Sequence, residues 1–414
     1  MRPKILGMIM AGGKGERLYP LTKDRTKAAV PFGGKYRIID FVLSNFLNSG
    51  IYSLYVLTQF KAQSLIEHLQ DGWQMGQVVR DHFIIAVPAQ MRLGESWYKG
   101  TADAIYQNLN LVKGFRPDIV AVFGADHVYR MDIRQMVSFH AENNADVTVA
   151  TVPVPIEKAA QMGIIDVGKD GLITGFQEKP EKPHPIPGRP DEALVSMGNY
   201  LFNSEVLMGE LKENALTKET RHDFGRDIIP SLYEKKRVFA YDFRENKIPG
   251  EESVEETGYW RDIGTIESYY KANMDLRAVT PSFNLYNPRW PIKSTSYTEL
   301  PPAKFVFNEH GRQGAALNSI ICEGTIISGG EIRDSVVGRN VFIHSYSEIN
   351  QSIIMDNVEV GRHARITRAI IDKNVKIPEG ESIGYNLEED RKKYYVSPEG
   401  IVVVPRAELW GHNT

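Results

Sequence analysis

Met10-Ala11-Gly12-Gly13-Lys14-Gly15-Glu16-Arg17-Leu18 packs three glycines and two cations into nine residues. It follows the apolar run Ile5–Met10, which reads as a buried parallel strand. Gly12, Gly13 and Gly15 at a strand's carboxyl end let backbone N–H groups approach a phosphate that a Cβ would hold off. Arg17 adds a planar fork for phosphate oxygens, and Lys27, ten residues on, adds a point charge. The chemistry this favours is the handling of nucleotide phosphates. Two other glycine loops are excluded: a Walker A loop needs Gly-x-x-x-x-Gly-Lys-Ser/Thr, and the dinucleotide fingerprint would put glycine where Leu18 stands. Gly-Gly-x-Gly alone is equally a tight turn, so the specificity lies in the whole string with Arg17 and Lys27.

Two carboxylates could complement such a loop. Asp126, in Gly124-Ala125-Asp126-His127, follows a strand, and Asp262 lies in Tyr259-Trp260-Arg261-Asp262-Ile263-Gly264-Thr265. Mg²⁺ needs only one or two carboxylates beside phosphate oxygens and water, so the pair suits metal-assisted phosphoryl or nucleotidyl transfer. Either aspartate alone is as readily a helix cap or turn former. Lys179, in Phe176-Gln177-Glu178-Lys179-Pro180, stands where Pro180 stops a strand, and could hold a second phosphate or simply face solvent. Ser196-Met197-Gly198-Asn199-Tyr200 and Asp223-Phe224-Gly225-Arg226-Asp227 offer hydroxyl, carboxylate and aromatic groups suited to a sugar. Asp223-Phe224-Gly225 also spells the kinase magnesium motif, but no His-Arg-Asp loop precedes it. Tyr98, before Gly100 at a helix start, could lie against a base or merely pack.

The elements that must position these groups alternate. Short apolar runs such as Leu54–Leu57, Ile119–Phe123 and Val147–Val152 read as buried strands, with helical patterns such as Thr101–Leu109 between them. That predicts an α/β domain with a mostly parallel, Rossmann-like sheet through about residue 280, its ligands outside the strand carboxyl ends. Residues 281–316, rich in proline, read as an ordered linker in which Phe283, Trp290 and Phe305 are expected out of water. From residue 317 to 414 an internal repeat dominates. Ser319-Ile320-Ile321, Ser335-Val336-Val337, Ser352-Ile353-Ile354 and Ala369-Ile370-Ile371 recur at spacings of 16, 17 and 17 residues, which suits a triangular parallel β-helix better than a sandwich.

With 414 residues, 42% hydrophobic and 24% charged, the chain has the composition of an ordinary multi-domain globular protein. A net charge of −3 gives no global pull toward nucleic acid or membranes. The lone Cys322 excludes an internal disulfide framework, fits a reducing cytoplasm, and is expected as a buried thiol in the first coil. No apolar run reaches a membrane span's length, and the one after Met1-Arg2-Pro3-Lys4 is too short for a signal peptide.

Taken together these motifs closely resemble the bacterial glucose-1-phosphate adenylyltransferases. The match includes Gly12-Gly13-Lys14-Gly15-Glu16-Arg17-Leu18, Phe32-Gly33-Gly34-Lys35-Tyr36-Arg37-Ile38-Ile39-Asp40, Leu43-Ser44-Asn45 and Trp97-Tyr98-Lys99-Gly100-Thr101-Ala102-Asp103. It continues through Glu178-Lys179-Pro180, Ser196-Met197-Gly198, His222-Asp223-Phe224-Gly225, Tyr259-Trp260-Arg261-Asp262 and Pro301-Pro302-Ala303-Lys304-Phe305. The resemblance implies transfer of an adenylyl group from ATP to α-glucose 1-phosphate, with Mg²⁺ on Asp126 and Asp262. It implies a left-handed β-helix, a homotetramer and small phosphorylated effectors. Arg17, Lys27 and the Gly12–Gly15 backbone would cradle the triphosphate. Gln90, Tyr98 and Gly100 would border adenine and ribose; Lys179 would take the sugar phosphate, with Glu178, Ser196, Tyr200 and Asp223 around the sugar.

Departures from the family pattern carry their own expectations. Ala28 follows Lys27 where proline is common, which would loosen the turn. Ala125 replaces a glycine, so the backbone there should avoid positive φ. Asp24 and Val396 occupy places where basic effector contacts are expected, which implies altered effector choice or weak activation by a sugar bisphosphate. The family also contains catalytically silent regulatory subunits, but Asp126, Asp262 and Lys179 are all present. A β-helix acyltransferase using His344 or His363 is a further alternative; those histidines read more simply as coil corners.

Overall fold

The computed structural model describes residues 3–75, 79, 81–92, 97–160, 162–251, 258–295, 299–308 and 312–406. Residues 407–414 of the expected C-terminal domain, and the leading Met1-Arg2, lie outside them. The chain forms two compact units. One comprises Met1–Gly13, Phe41–Trp260 and Asn287–Ile292; the other comprises Lys14–Asp40, Arg261–Tyr286 and Lys293–Thr414.

Among its described residues the first unit is built on a nine-stranded sheet. Its strands are β1 (Ile5–Met10), β2 (Ser53–Thr58), β3 (Phe83–Pro88), β4 (Ile119–Gly124), β5 (Val147–Pro155), β6 (Gly163–Val167), β7 (Ile173–Glu178), β8 (Glu192–Asn203) and β9 (Val238–Asp242). β3, β2, β1 and β4 run parallel in that spatial order, as the apolar runs require. Alternate residues Leu6 and Met8, Val120 and Val122, and Tyr200 and Phe202 share one core with helix residues Ile105, Leu109, Val112, Leu207 and Leu211. The sheet continues past β4 through β8, which is antiparallel to both β4 and β5. Nothing in the apolar runs marks that reversal, because strand direction leaves no trace in a fully buried run.

The helical pattern at 101–109 divides in two: α1 (Thr101–Tyr106) and α2 (Leu109–Phe115). Asn108 explains the break, since its amide donates to the Ala104 carbonyl at 2.8 Å and to the Tyr98 hydroxyl at 2.9 Å. A side chain that bonds the backbone locally competes with the helical ladder. Among the described residues no helix is long and apolar enough to cross a membrane.

Among the described residues of the second unit, two- and three-residue strands stack in three sheets of five, five and six members, all parallel except Tyr395–Val396, which runs antiparallel to Val402–Val404 at the end of the third. Ile320, Val336, Ile353 and Ile370 pair in sequence along one face; Ala316, Ile332, Ile349, Ile366 and Ile383 do so along another. This agrees with the expected left-handed β-helix. The small residue opening each repeat has a definite task. Ser319 Oγ accepts from Ser335 N at 3.0 Å, Ser335 Oγ from Ser352 N at 3.1 Å, and Ser352 Oγ from Ala369 N at 3.2 Å. Each hydroxyl thus satisfies a backbone donor of the next coil, and Ala369 needs only its N–H. Asn340, Asn357 and Asn374 take left-handed corners, and their amides bond in a ladder at 2.9 and 3.1 Å.

Two linker aromatics are buried as expected, Phe283 and Trp290, but Phe305 is 48% exposed. It lies on an edge strand of its sheet (Lys304–Phe305), with no earlier coil there to cover it. Cys322 is buried, and burial raises its thiol to about 12. His344 sits 3.1 Å from Glu359, and His363 stacks on Tyr346 at a left-handed corner.

Candidate active site

The glycine loop leaves β1 at Met10, where Ala11 N still bonds Leu57 O at 2.9 Å. Gly15 has φ +64°, and a Cβ there would come 3.0 Å from Lys27 Cβ and 3.1 Å from Thr22 Cγ2. Glycine is therefore required twice over, by backbone conformation and by the approach of Lys27. A Cβ at Gly13 would meet nothing within 4 Å, so the space over that backbone is open to a ligand. Lys14 and Glu16 face solvent and pair with each other at 3.7 Å.

In the second unit, Lys27 lies in a short turn, Lys27–Ala29, with its side chain only 9% exposed, and its Nζ is 2.9 Å from Asp262 Oδ1. Arg17 Nη2 approaches the other oxygen of Asp262 at 3.6 Å while remaining 61% exposed. The three groups form a charged cluster in which one carboxylate holds two cations. Gly264 makes room for it: a Cβ there would lie 2.9 Å from Arg17 Nη2 and 3.0 Å from both Asp262 oxygens. Thr265 and Ser268 then cap α3 (Ile266–Asp275) reciprocally. Tyr269 Oη and Asn273 Oδ1 of this helix bind Pro31 O and Gly33 N, fixing the segment that follows Lys27.

In the first unit, Asp126 stands just past β4, 45% exposed, with Oδ1 3.4 Å from His127 Nδ1. The His127 ring packs on Trp260 with centroids 4.9 Å apart. Ala125 keeps negative φ, as its Cβ requires.

A third group of residues gathers at the end of β7. Lys179 adopts φ +51°, a strained conformation for a side-chain-bearing residue, and its Nζ lies 3.2 Å from Glu178 Oε1. Ser196 and Tyr200 flank a register break in β8 against β5, where Gly198 has φ +73°. That bulge brings the Ser196 and Tyr200 hydroxyls to 3.5 Å. Tyr200 is almost fully buried and stacks on Phe224 at 5.5 Å, and burial pushes its hydroxyl pKa up. Asp223 is already heavily engaged: Oδ1 accepts from Gly225 N and Arg226 N, and Oδ2 from Thr101 Oγ1 at 3.0 Å.

Near the other end of the unit, Gln90 Oε1 accepts from Arg92 at 2.9 and 3.1 Å. Tyr98 is held by a residue that the sequence alone did not single out. Gln59 Oε1 accepts from Tyr98 N at 2.7 Å, and Gln59 Nε2 donates to Tyr98 O at 3.4 Å. Gln59 directly follows β2, whose carboxyl end lies next to that of β1, so the sheet rule for ligand position could have found it. Gly100 is fixed by close approach: a Cβ would fall 2.3 Å from His222 O and 2.4 Å from Arg221 O.

The nucleotidyl transferase family model matches residues 6–279, and a GlmU-like C-terminal hexapeptide model matches 301–404. A glucose-1-phosphate adenylyltransferase of Thermus thermophilus is 57% identical over 412 residues, covering 98% of this chain and 99% of its own. One from an Anaeromyxobacter species is 52% identical over 407 residues, covering 98% of each chain. Another from Vibrio parahaemolyticus is 48% identical over 408 residues, covering 99% of each. The chain belongs to the glucose-1-phosphate adenylyltransferase family.

It is thus a nucleotidyltransferase, and enzymes of that kind generally use divalent metal ions. Within this adenylyltransferase, the places of the departures are plain. Ala28 is buried in the Lys27–Ala29 turn. Asp24 is exposed, whereas its neighbour Arg25 is 3% exposed and bound to buried Asp372. Val396 pairs with Val402 in the last sheet. Lys373, next to Asp372, is lowered to about 8, mainly by burial and then by the guanidinium groups of Arg37 and Arg25.

Proposed function

We propose that this chain transfers the adenylyl group of ATP to α-D-glucose 1-phosphate, giving ADP-glucose and pyrophosphate. The observation that carries the reading is 57% identity to a named glucose-1-phosphate adenylyltransferase over nearly the whole of both chains. The charged cluster Lys27–Asp262–Arg17 and the strained Lys179 beside Glu178 supply matching chemistry.

The sugar phosphate oxygen attacks the α-phosphorus in line and expels pyrophosphate, so positioning and charge neutralisation dominate over covalent work by the protein. Lys27 and Arg17 neutralise the triphosphate and the leaving pyrophosphate, with Gly12, Gly13 and Gly15 presenting backbone donors. Gln90, Tyr98 and Gly100 border the adenine and ribose. Lys179 binds the sugar's phosphate; Glu178, Ser196, Tyr200 and Asp223 line the sugar, Asp223 chiefly by shaping the turn that it caps. Asp126 and Asp262 suit a hard cation, since both carboxylates keep exposed surface, 45% and 27%. Mg²⁺ bound there would supply further neutralisation of phosphate charge.

The nucleotidyltransferase part would span 1–280, joined through 281–316 to a β-helix that builds homotetramer contacts and effector sites. The protein would be cytoplasmic. With a carboxylate at Asp24, strong activation by fructose 1,6-bisphosphate is not expected. Titration with that effector, fructose 6-phosphate and pyruvate checks this, and strong activation by the bisphosphate contradicts it. The reaction itself is tested by separating products of ATP and glucose 1-phosphate on an anion exchanger. Purified protein should yield ADP-glucose, and its absence overturns the proposal.

A further inference from the structure

Glu178 faces two cations with a single oxygen. Lys179 Nζ stands 3.2 Å from Glu178 Oε1, and Arg226 Nε stands 3.9 Å from the same atom. Arg226 arrives there through a chain of contacts in the first unit. Thr101 Oγ1 donates to Asp223 Oδ2, and Asp223 Oδ1 accepts from Gly225 N at 2.9 Å and Arg226 N at 3.1 Å. This cap starts the wide turn Phe224–Ile228 that carries the arginine. Gly225 lets the turn close on the carboxylate: a Cβ there would lie 3.1 Å from Glu178 Oε2 and 3.3 Å from Phe176 Cζ. Glu178 and Arg226 both line one open cleft of about 760 Å³, with Phe176, Arg221, Gly225 and Asp227.

We infer that Arg226 is a positioning residue for the acceptor sugar, acting through Glu178 and setting the preference among sugar 1-phosphates. The inference rests on the reading that Lys179 takes the sugar phosphate. When the phosphate arrives, Lys179 exchanges its partner Glu178 for the phosphate oxygens. Glu178 would then stand beside a dianion without a counter-charge. Arg226 supplies it, holding the carboxylate aimed at the sugar hydroxyls, where misplacement would cost recognition. Arg226 itself touches neither phosphate nor reacting atoms.

The test uses the full-length purified protein and the variants Arg226→Gln, Arg226→Lys and Lys179→Gln. ADP-glucose formation is followed at varied glucose 1-phosphate, ATP and galactose 1-phosphate. Arg226→Gln should raise KM for glucose 1-phosphate about three- to fivefold, the scale of a partly exposed ion pair, and lower the preference for glucose over galactose 1-phosphate. KM for ATP and kcat should stay within about twofold, and Arg226→Lys should restore most of the loss. Since the side chain is 34% exposed and its ion pair is long, at 3.9 Å, thermal melting should stay close to the parent. Unchanged sugar KM and preference in Arg226→Gln overturn the inference, as does an equal rise in both KM values, which marks a merely structural role. Lys179→Gln separates the two ideas: if it leaves sugar KM unchanged, the reading of the sugar site fails, whatever Arg226→Gln does.

Discussion

Replacing Gly100 by alanine tests how tightly the two proposed substrate regions of the first unit are joined. Gly100 precedes α1, and a Cβ there would fall 2.3 Å from His222 O and 2.4 Å from Arg221 O. Both are backbone atoms, so no rotamer change relieves the clash. The segment must retreat by about 1 Å to regain an ordinary C···O separation of about 3.3 Å. That movement strains the 2.8 Å bond from Ala102 N to His222 O and displaces Asp223, whose carboxylate holds Thr101. Overpacking of this kind costs about 2 kcal/mol, or about 4–8 °C in Tm for a domain of this size. The Gly100→Ala variant should also raise KM for both ATP and glucose 1-phosphate, because Tyr98 lies on one side of the clash and Asp223 on the other. Gly209→Ala is the control: beyond its own helix backbone nothing lies within 4 Å of the new Cβ, so the change should be neutral or stabilise by about 0.5–1 kcal/mol. Differential scanning calorimetry and steady-state kinetics read both. A Gly100→Ala protein with parental Tm and both KM values unchanged would refute the reasoning.

Other expectations follow from single contacts. On the proposed function, Lys27→Met should lower kcat about 100-fold or more by removing a buried cation from the triphosphate, whereas exposed Arg17→Gln should cost less; initial rates at saturating substrates decide the order. Arg25→Met or Asp372→Asn breaks a buried ion pair and should each destabilise by about 3–5 kcal/mol, with the double variant recovering part of the loss in denaturant melts. Cys322 should resist Ellman's reagent at pH 8 in the native protein and react promptly in guanidinium, because burial raises its thiol to about 12 and keeps it protonated through that range.

The β-helix was the most legible part of the chain, because each coil repeats the same demand: a hydroxyl for the next coil's N–H, then β-branched residues for the stack. The glycine loop was legible in composition, yet only the structure separates Gly15, forced by φ and by Lys27, from Gly13, which nothing in the protein forces. Strand reversal at β8 and the bulge at Ser196–Tyr200 were hidden, since both depend on partners distant in sequence. Gln59 was missed, and Arg226 was given no role within its segment, for the same reason: an exposed or polar residue gains meaning from the backbone or carboxylate that it meets. Asp223 shows the converse. Its motif suggested sugar contact, while its oxygens are largely committed to capping a turn.

The proposed function assigns the glycine loop and its charged cluster to ATP in particular. The most direct measurement compares kcat/KM for ATP, UTP and GTP with glucose 1-phosphate as acceptor, following pyrophosphate release by the purified chain with Mg²⁺. ATP should be preferred by at least about 100-fold, the discrimination expected of a site that hydrogen-bonds the correct base. Preference for UTP or GTP, or no release with any of the three, would contradict it.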